Sequence, residues 1–396
     1  MSNELTVDDF RLDGQYGSQG SRMEQVGINH FRMILGHAPN QPNWFNKPQF
    51  EIKRHARGNK LRLDIVTPSV GKEEFPITEY HFSWSCDNEH WQPIRLQTDD
   101  AGQHCFIFPE FTEDHIYFGH QVPLSYEKMV QLIEQWRSDS RVTVHEVGQS
   151  LNGRTLYRLT VTDPGTAYSR DRRWGHYALN THPGEHNAQW RIVGMIEWLL
   201  QDPQAASFLQ RSICHFVIIM SVDGPSNGWY RVNQQGVDMN RSYSPEGSDA
   251  VSQAHEAFVF QQDLERIMAS SEPIATIWNM HTWGGIVEPI IYVGPEFGSS
   301  LGDWTEFRDM MIHNDTYGYI KPLKSSMERK DKNPIGLLSG WNGGPRQQFG
   351  ITGVLCEGGG GLDTKEANME SGKTIMRSIA EFYSGLRPAM NEAGKG

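Results

Sequence analysis

Cysteine is scarce in this chain. There are 4 in 396 residues, and Cys86, Cys105, Cys214 and Cys356 lie far apart with no CxxC pair. A dense disulfide framework is excluded, and reduced, mostly buried thiols are expected. Basic charge is also in short supply. Lys and Arg total 36 against 48 Asp and Glu, a net charge of −12, so the chain lacks the basic face a nucleic-acid binder needs. No apolar run approaches the roughly 20 residues that cross a bilayer, so no membrane partner is expected. The first residues, MSNELTVDDF, have neither a basic nor an apolar stretch, and no signal peptide is expected. The reading is a cytoplasmic protein. No HExxH helix, no GxSxG elbow, no fixed-period repeat and no low-complexity tract occurs.

What is present is ample material for a core. Aromatics make up 11% of residues and hydrophobics 37%, which excludes wholesale disorder. At roughly 100–200 residues per domain the length predicts two domains. The first, 1–122, reads as a β-sandwich. Short alternating segments at 31–35, 61–66, 80–84, 105–108 and 116–118 are separated by turn signals. The second, 123–390, alternates helices and strands. Helices are expected at 126–137, 189–200, 251–269, 301–313 and 365–382. Strands are expected at 176–180, 214–221, 274–280 and 351–356. This alternation predicts an α/β domain with a mixed, largely parallel sheet and helices on both faces. Residues 324–345 are polar and Gly-rich and read as a long loop.

Chemistry concentrates where strands end. His182-Pro183-Gly184-Glu185 follows one strand and precedes a helix. An imidazole and a carboxylate three apart on such a turn can aim at one point, and both suit Zn²⁺. Alone, the pattern is equally a surface loop with a paired glutamate. Two other apolar strands end on polar residues, at His281 and at Glu357, and the latter is followed by four glycines. Sites in open α/β sheets collect beyond such carboxyl ends. His182, Glu185 and His281 give a His₂Glu set with one open Zn²⁺ position, and Glu357 becomes a metal-adjacent general base. Two arginines ten apart, Arg231 and Arg241, are forks suited to carboxylates; pairing with the acidic surface is the ordinary alternative. Gly372-Lys373-Thr374 and Ser69-Val70-Gly71-Lys72 only superficially match a phosphate loop and an SxxK nucleophile motif.

Taken in order, these residues resemble the zinc carboxypeptidase family, and most the cytosolic carboxypeptidase branch, whose members often remove glutamates. HPGE at 182–185 resembles the first two metal ligands of that family and His281 the third. Asn240-Arg241 within GVDMNR resembles the pair that grips the substrate carboxylate. Arg231 resembles the carbonyl-polarising arginine and Glu357 the catalytic glutamate. The stretch 117–126 resembles the junction between sandwich and catalytic domain, and 148–161 an early hairpin. Arg346, in Gly344-Pro345-Arg346, resembles an arginine associated with acidic side chains. The family's Asn-Pro-Asp-Gly is here Ser221-Val222-Asp223-Gly224. Its mobile tyrosine has no clear match; Tyr317 and Tyr319 are the nearest. The resemblance implies one Zn²⁺ per chain and a peptide or protein C-terminus as substrate. It leaves a zinc amidase or deacylase, and an inactive binding pseudo-hydrolase, as alternatives.

Overall fold

A computed structural model describes residues 4–67, 77–270, 272, 274–282, 290–293, 304–315, 337–358 and 364–384. Twelve strands come first: β1 (Phe10–Arg11), β2 (Arg22–Gly27), β3 (His30–Ile34), β4 (His37–Ala38), β5 (Gln41–Phe45), β6 (Phe50–Ile52), β7 (Arg62–Val66), β8 (Phe82–Ser85), β9 (Trp91–Ile94), β10 (Gln97–Thr98), β11 (His104–Ile107) and β12 (Ile116–His120). Ten of them form two five-stranded sheets, ordered β1-β6-β12-β8-β9 and β10-β11-β7-β3-β2, and β4 pairs with β5 in a separate hairpin. Alternation drives this arrangement. In β3 the buried residues are Phe31 and Met33, while their neighbours are half-buried, as the two-residue period of a strand requires. The sheets meet through rings. Phe106 of one sheet lies 4.9 Å from both Phe82 and Phe118 of the other. The segment expected at 80–84 begins later, because Tyr80 follows a 3₁₀ turn at Ile77–Glu79.

The remaining strands are β13 (Val142–Gln149), β14 (Thr155–Val161), β15 (Trp174–Leu179), β16 (Ser212–Val217), β17 (Ile274–Met280), β18 (Ile290–Val293) and β19 (Thr352–Glu357). The helices are α1 (Tyr126–Trp136), α2 (His186–Gln201), α3 (Ala205–Leu209), α4 (His255–Ala269), α5 (Trp304–Asn314), α6 (Gly343–Phe349) and α7 (Lys365–Ser384). One sheet runs β13-β14-β16-β15-β17-β19-β18. The pairings β16–β15, β15–β17 and β17–β19 are parallel, and the flanking ones are antiparallel. Helices cover both faces. His176 and Trp278 meet Phe208 and Tyr383 on one side and Phe307 on the same side. Arg158, on β14, reaches Asp263 of α4 on the other.

Four further expectations need correction. The strand expected to run to Ser221 ends at Val217, because the Met220 amide turns back to the Asn180 carbonyl (3.0 Å). Helix α4 starts at His255 rather than 251, since the Ala254 amide is taken by the Ser242 hydroxyl (2.7 Å) and Ala254 is extended. Helix α2 starts at His186, three residues before the expected 189. Residues 343–345 open helix α6 instead of ending a loop; Pro345 sits in its first turn, where a missing N–H costs nothing. Residues 324–336 of that loop, and Tyr317 and Tyr319 before it, lie outside the described residues. The four cysteines are unpaired thiols; Cys105, Cys214 and Cys356 are buried and Cys86 is half-buried.

Candidate active site

Three adjacent parallel strands, β15, β17 and β19, release their chains at one edge of the sheet. After β15 the backbone reaches His182 and turns at Pro183-Gly184. Glycine is required there: a Cβ on Gly184 would stand 2.6 Å from the Tyr230 Cα, and its amide donates to the Tyr230 carbonyl (3.0 Å). Glu185 then occupies the N-cap of α2. His281 directly follows β17, its amide held by the Cys356 carbonyl at 2.8 Å. Glu357 is the last residue of β19.

The side chains converge. His182 Nδ1 is 2.8 Å from one oxygen of Glu185, and His281 Nδ1 is 2.9 Å from the other. The two imidazole centroids are 4.7 Å apart. All three groups are buried, and their donor atoms lie within 4.8 Å of one another, the one such set among the described residues. Two imidazoles and a carboxylate match the protein donors of an open Zn²⁺ site, so the residues fit one ion.

Burial opposes charge on His182, but Glu185 and Asp238 outweigh it and raise its pKa to about 9. The two imidazoles in turn hold Glu185 well below the usual carboxylate range despite its burial. A ligating imidazole is neutral, so metal binding here expels that proton. Glu357 is pushed the other way. Burial raises its pKa and Glu185 adds to this, against His281, His182 and Arg191.

The second part of the site is a hairpin-like loop. Val232 bridges Asp238 across it, the Asn233 side-chain oxygen accepts the amides of Gln235 and Val237 (3.0 and 3.2 Å), and Gly236 has φ +76°. This turn brings Arg231 back onto Asp238 (Nε to Oδ2, 2.7 Å). The other Asp238 oxygen lies 3.0 Å from His182 Nε2 and accepts the Asn240 amide at 2.7 Å. Asn240 sits in a 3₁₀ turn, Met239–Arg241. Its side-chain oxygen accepts from Asn279 Nδ2 (2.8 Å) and the Trp341 amide (3.1 Å), and its Nδ2 lies 3.2 Å from His281 Nε2. Arg241 is exposed and donates to the Asn240 carbonyl at 2.9 Å.

The structure thus brings His182, Glu185 and His281 together, links Arg231 and Asn240 to them, sets Arg241 beside Asn240, and ends a neighbouring strand at Glu357. Arg346 stands on α6, half-buried. Sequence reasoning missed two residues. Asp238 orients His182 in the way that outer carboxylates orient metal-bound imidazoles; its place inside GVDMNR was the available signal. Arg191, on α2, is fully buried. Its guanidinium donates to the carbonyls of His281 and Gly358 (2.9 Å to the latter) and to Cys356 Sγ at 3.4 Å, tying the end of β17 to that of β19. Nothing in an apolar helix pattern marks that role.

Comparison with known proteins places this geometry. The family model described as zinc carboxypeptidase matches residues 127–279, which hold His182 and Glu185 but end before His281 and Glu357. Cytosolic carboxypeptidase 2 of Xenopus tropicalis is 29% identical over 152 residues, which is 37% of this chain but 16% of that protein. The chain therefore spans a small part of that curated relative. A metallo-carboxypeptidase structure from Burkholderia cenocepacia superposes with a TM-score of 0.75 at 19% identity, covering 92% of this chain and 96% of that one. One from Pseudomonas aeruginosa, in complex with (2-guanidinoethylmercapto)succinic acid, gives 0.73 at 19%, covering 96% and 100%. At such identities the superpositions establish the fold, sandwich included. No described helix is long and apolar enough to cross a membrane.

Proposed function

We propose that this protein is a zinc metallocarboxypeptidase that removes the C-terminal residue of a peptide or protein, working in the cytoplasm as its relatives' names suggest. The observation that carries this reading is the convergence of His182, Glu185 and His281 at strand ends beside Glu357. We set the domain boundary at 122/123, close to the change of core: Phe118 of β12 packs among the sandwich rings, and Val122 and Leu124 pack with the α/β sheet.

His182, Glu185 and His281 hold the ion. Bound there, Zn²⁺ supplies Lewis acidity and lowers the pKa of water toward about 7. Glu357, a carboxylate whose burial raises its pKa, takes the proton from the attacking water and returns it to the departing amine. Arg231 donates to the carbonyl oxygen as negative charge develops there, a contribution of about 2.7–4 kcal/mol for one such donor. Asn240 and Arg241 hold the free carboxylate, which confines cleavage to chain ends. Asn240 Nδ2 has two N–H groups and one neighbour at His281 among the described residues, so one is left for the substrate. Arg346 selects an acidic terminal side chain.

Glu357→Gln should lower kcat by about 10²–10⁴ on peptides with free C-termini while zinc content by mass spectrometry stays unchanged. Full turnover in that variant would refute the role of Glu357. Arg241→Ala should mainly raise KM. Equal turnover of peptides with amidated C-termini would refute the carboxylate clamp.

A further inference from the structure

The N-terminal domain meets the loop that carries Arg231 at several points: Tyr80 and His120 pack on Tyr230, Gln19 accepts a hydrogen bond from Trp229 Nε1, and one hairpin runs beside the loop. Its β4–β5 ribbon lies along residues 228–238. The Gln41 side chain donates to the Gly236 carbonyl at 3.0 Å, and the Lys47 amide donates to the Gly228 carbonyl at 2.9 Å. Contact is so close that a Cβ on Gly236 would stand 2.3 Å from the Pro39 carbonyl oxygen. Ala38 packs with Trp229 and Val232 in a small cluster of their own, against which Trp44 is partly buried. Trp44 also stacks on Tyr230, with ring centroids 6.1 Å apart and planes at 26°. The guanidinium carbon of Arg231 lies 5.1 Å from the centre of the Trp44 ring.

We propose that Trp44 is a positioning residue for Arg231, contributed to the active site by the N-terminal domain. Arg231 is held from two directions. Asp238 fixes its edge by accepting the Nε–H, and the indole π-face covers its planar head, the contact tryptophan makes best. An arginine has many rotamers, and a donor aimed at developing charge acts only if it is aimed beforehand. The ring lies on the face of the guanidinium, so it restrains the plane of the head without taking up an N–H group that the substrate oxygen needs.

This inference rests on the proposed role of Arg231, and the experiment separates the two. Trp44→Phe and Trp44→Leu both leave a smaller apolar side chain at this place, but only phenylalanine keeps a π-face. They are made in the full chain, alone and combined with Arg231→Ala, and kcat and KM are measured on a peptide with a free C-terminus. Trp44→Leu should lower kcat by about tenfold, the scale of a desolvated cation–π contact, with KM little changed. Trp44→Phe should recover most of the loss. In the Arg231→Ala background, Trp44→Leu should cost nothing further. Equal losses from Trp44→Leu in both backgrounds, or equal losses from leucine and phenylalanine, would overturn the positioning role while leaving that of Arg231 intact. An unchanged kcat in Arg231→Ala alone would overturn both.

Discussion

The two halves of the molecule bury different things. The sandwich interior is made of rings: Phe118 alone has Phe50, Phe82, Phe106 and Phe108 within centroid distances of 4.9–6.0 Å. Its inward carboxylates pair with partners at the rim, Asp9 with Arg54 and His55, Asp64 with Arg62 and His30. The α/β half buries charge against charge. Arg158 and Asp263 are both 7% exposed and joined at 2.5 Å, Arg191 is fully enclosed, and one oxygen of Glu256 has no hydrogen-bond partner among the described residues. Burying charge is costly unless it is paired, so a half that does so repeatedly is shaped by something other than stability. The sandwich instead sets its buried carboxylates against more exposed partners, and it meets the Arg231 loop through Trp44, Tyr80 and His120.

The most forceful way to break this comparison is Phe118→Ala. Removing a ring from a packed core costs about 3–5 kcal/mol, and urea denaturation should show it in full. Zinc content and kcat per folded molecule should be unaffected, because the rings that Phe118 meets, Phe50, Phe82, Phe106 and Phe108, all belong to the sandwich. A variant that folds but has lost turnover would show that the sandwich core and the site are one unit.

A smaller effect sharpens the comparison from the other side. His176 is buried in the sheet, its Nδ1 at 2.9 Å from the Thr276 hydroxyl, and burial lowers its pKa to about 3. Unfolded, the same imidazole titrates near 6.5. The folded state therefore resists taking up a proton that the unfolded state accepts. The stability from a neutral His176 is whole above about pH 6.5 and is lost progressively as the pH falls from there toward 3. By pH 5 the loss is about 2 kcal/mol. His215, also buried, shifts in the same direction. Thermal midpoints measured from pH 7 to pH 5 should fall, and His176→Gln should flatten part of that slope. A slope unaltered in the variant would assign the acid sensitivity elsewhere.

The sequence made the apolar parts of both halves readable, since alternation and buried runs are local patterns. It also exposed the ends of β15, β17 and β19, where polar residues interrupt those runs at His182, His281 and Glu357. What escaped depends on partners distant in the chain. Helix α2 begins at His186 without a local capping bond, because its first amides are taken by Gln121 (Asn187 N, 2.7 Å) and by Thr282 (Ala188 N, 2.9 Å). No residue nearby could have announced that start. Strand β18 is a four-residue run, too short for a period to show. Arg191 looks like one polar residue on a helix, and only the carbonyls it meets from two other strands give it a task. Asp238 was in view, but its link to His182 spans 56 residues.

The mildest test falls on the seam between the halves. Ser125 caps α1, its hydroxyl accepting the Lys128 amide at 3.0 Å, and it also receives a hydrogen bond from Gln15 of the sandwich. Ser125→Ala removes both contacts from a buried position. The cap alone is worth about 1 kcal/mol. Part of any further loss is the stranded Gln15 amide, so Gln15→Ala added to Ser125→Ala should cost less than the two single changes summed. The midpoint of urea unfolding reads this directly. Turnover should not move, because neither side chain contacts His182, Glu185, His281 or the Arg231 loop. A fall in kcat with Ser125→Ala would mean that the two halves communicate through α1 as well as through the hairpin, and the contrast between a passive sandwich and a charged catalytic half would have to be redrawn at that helix.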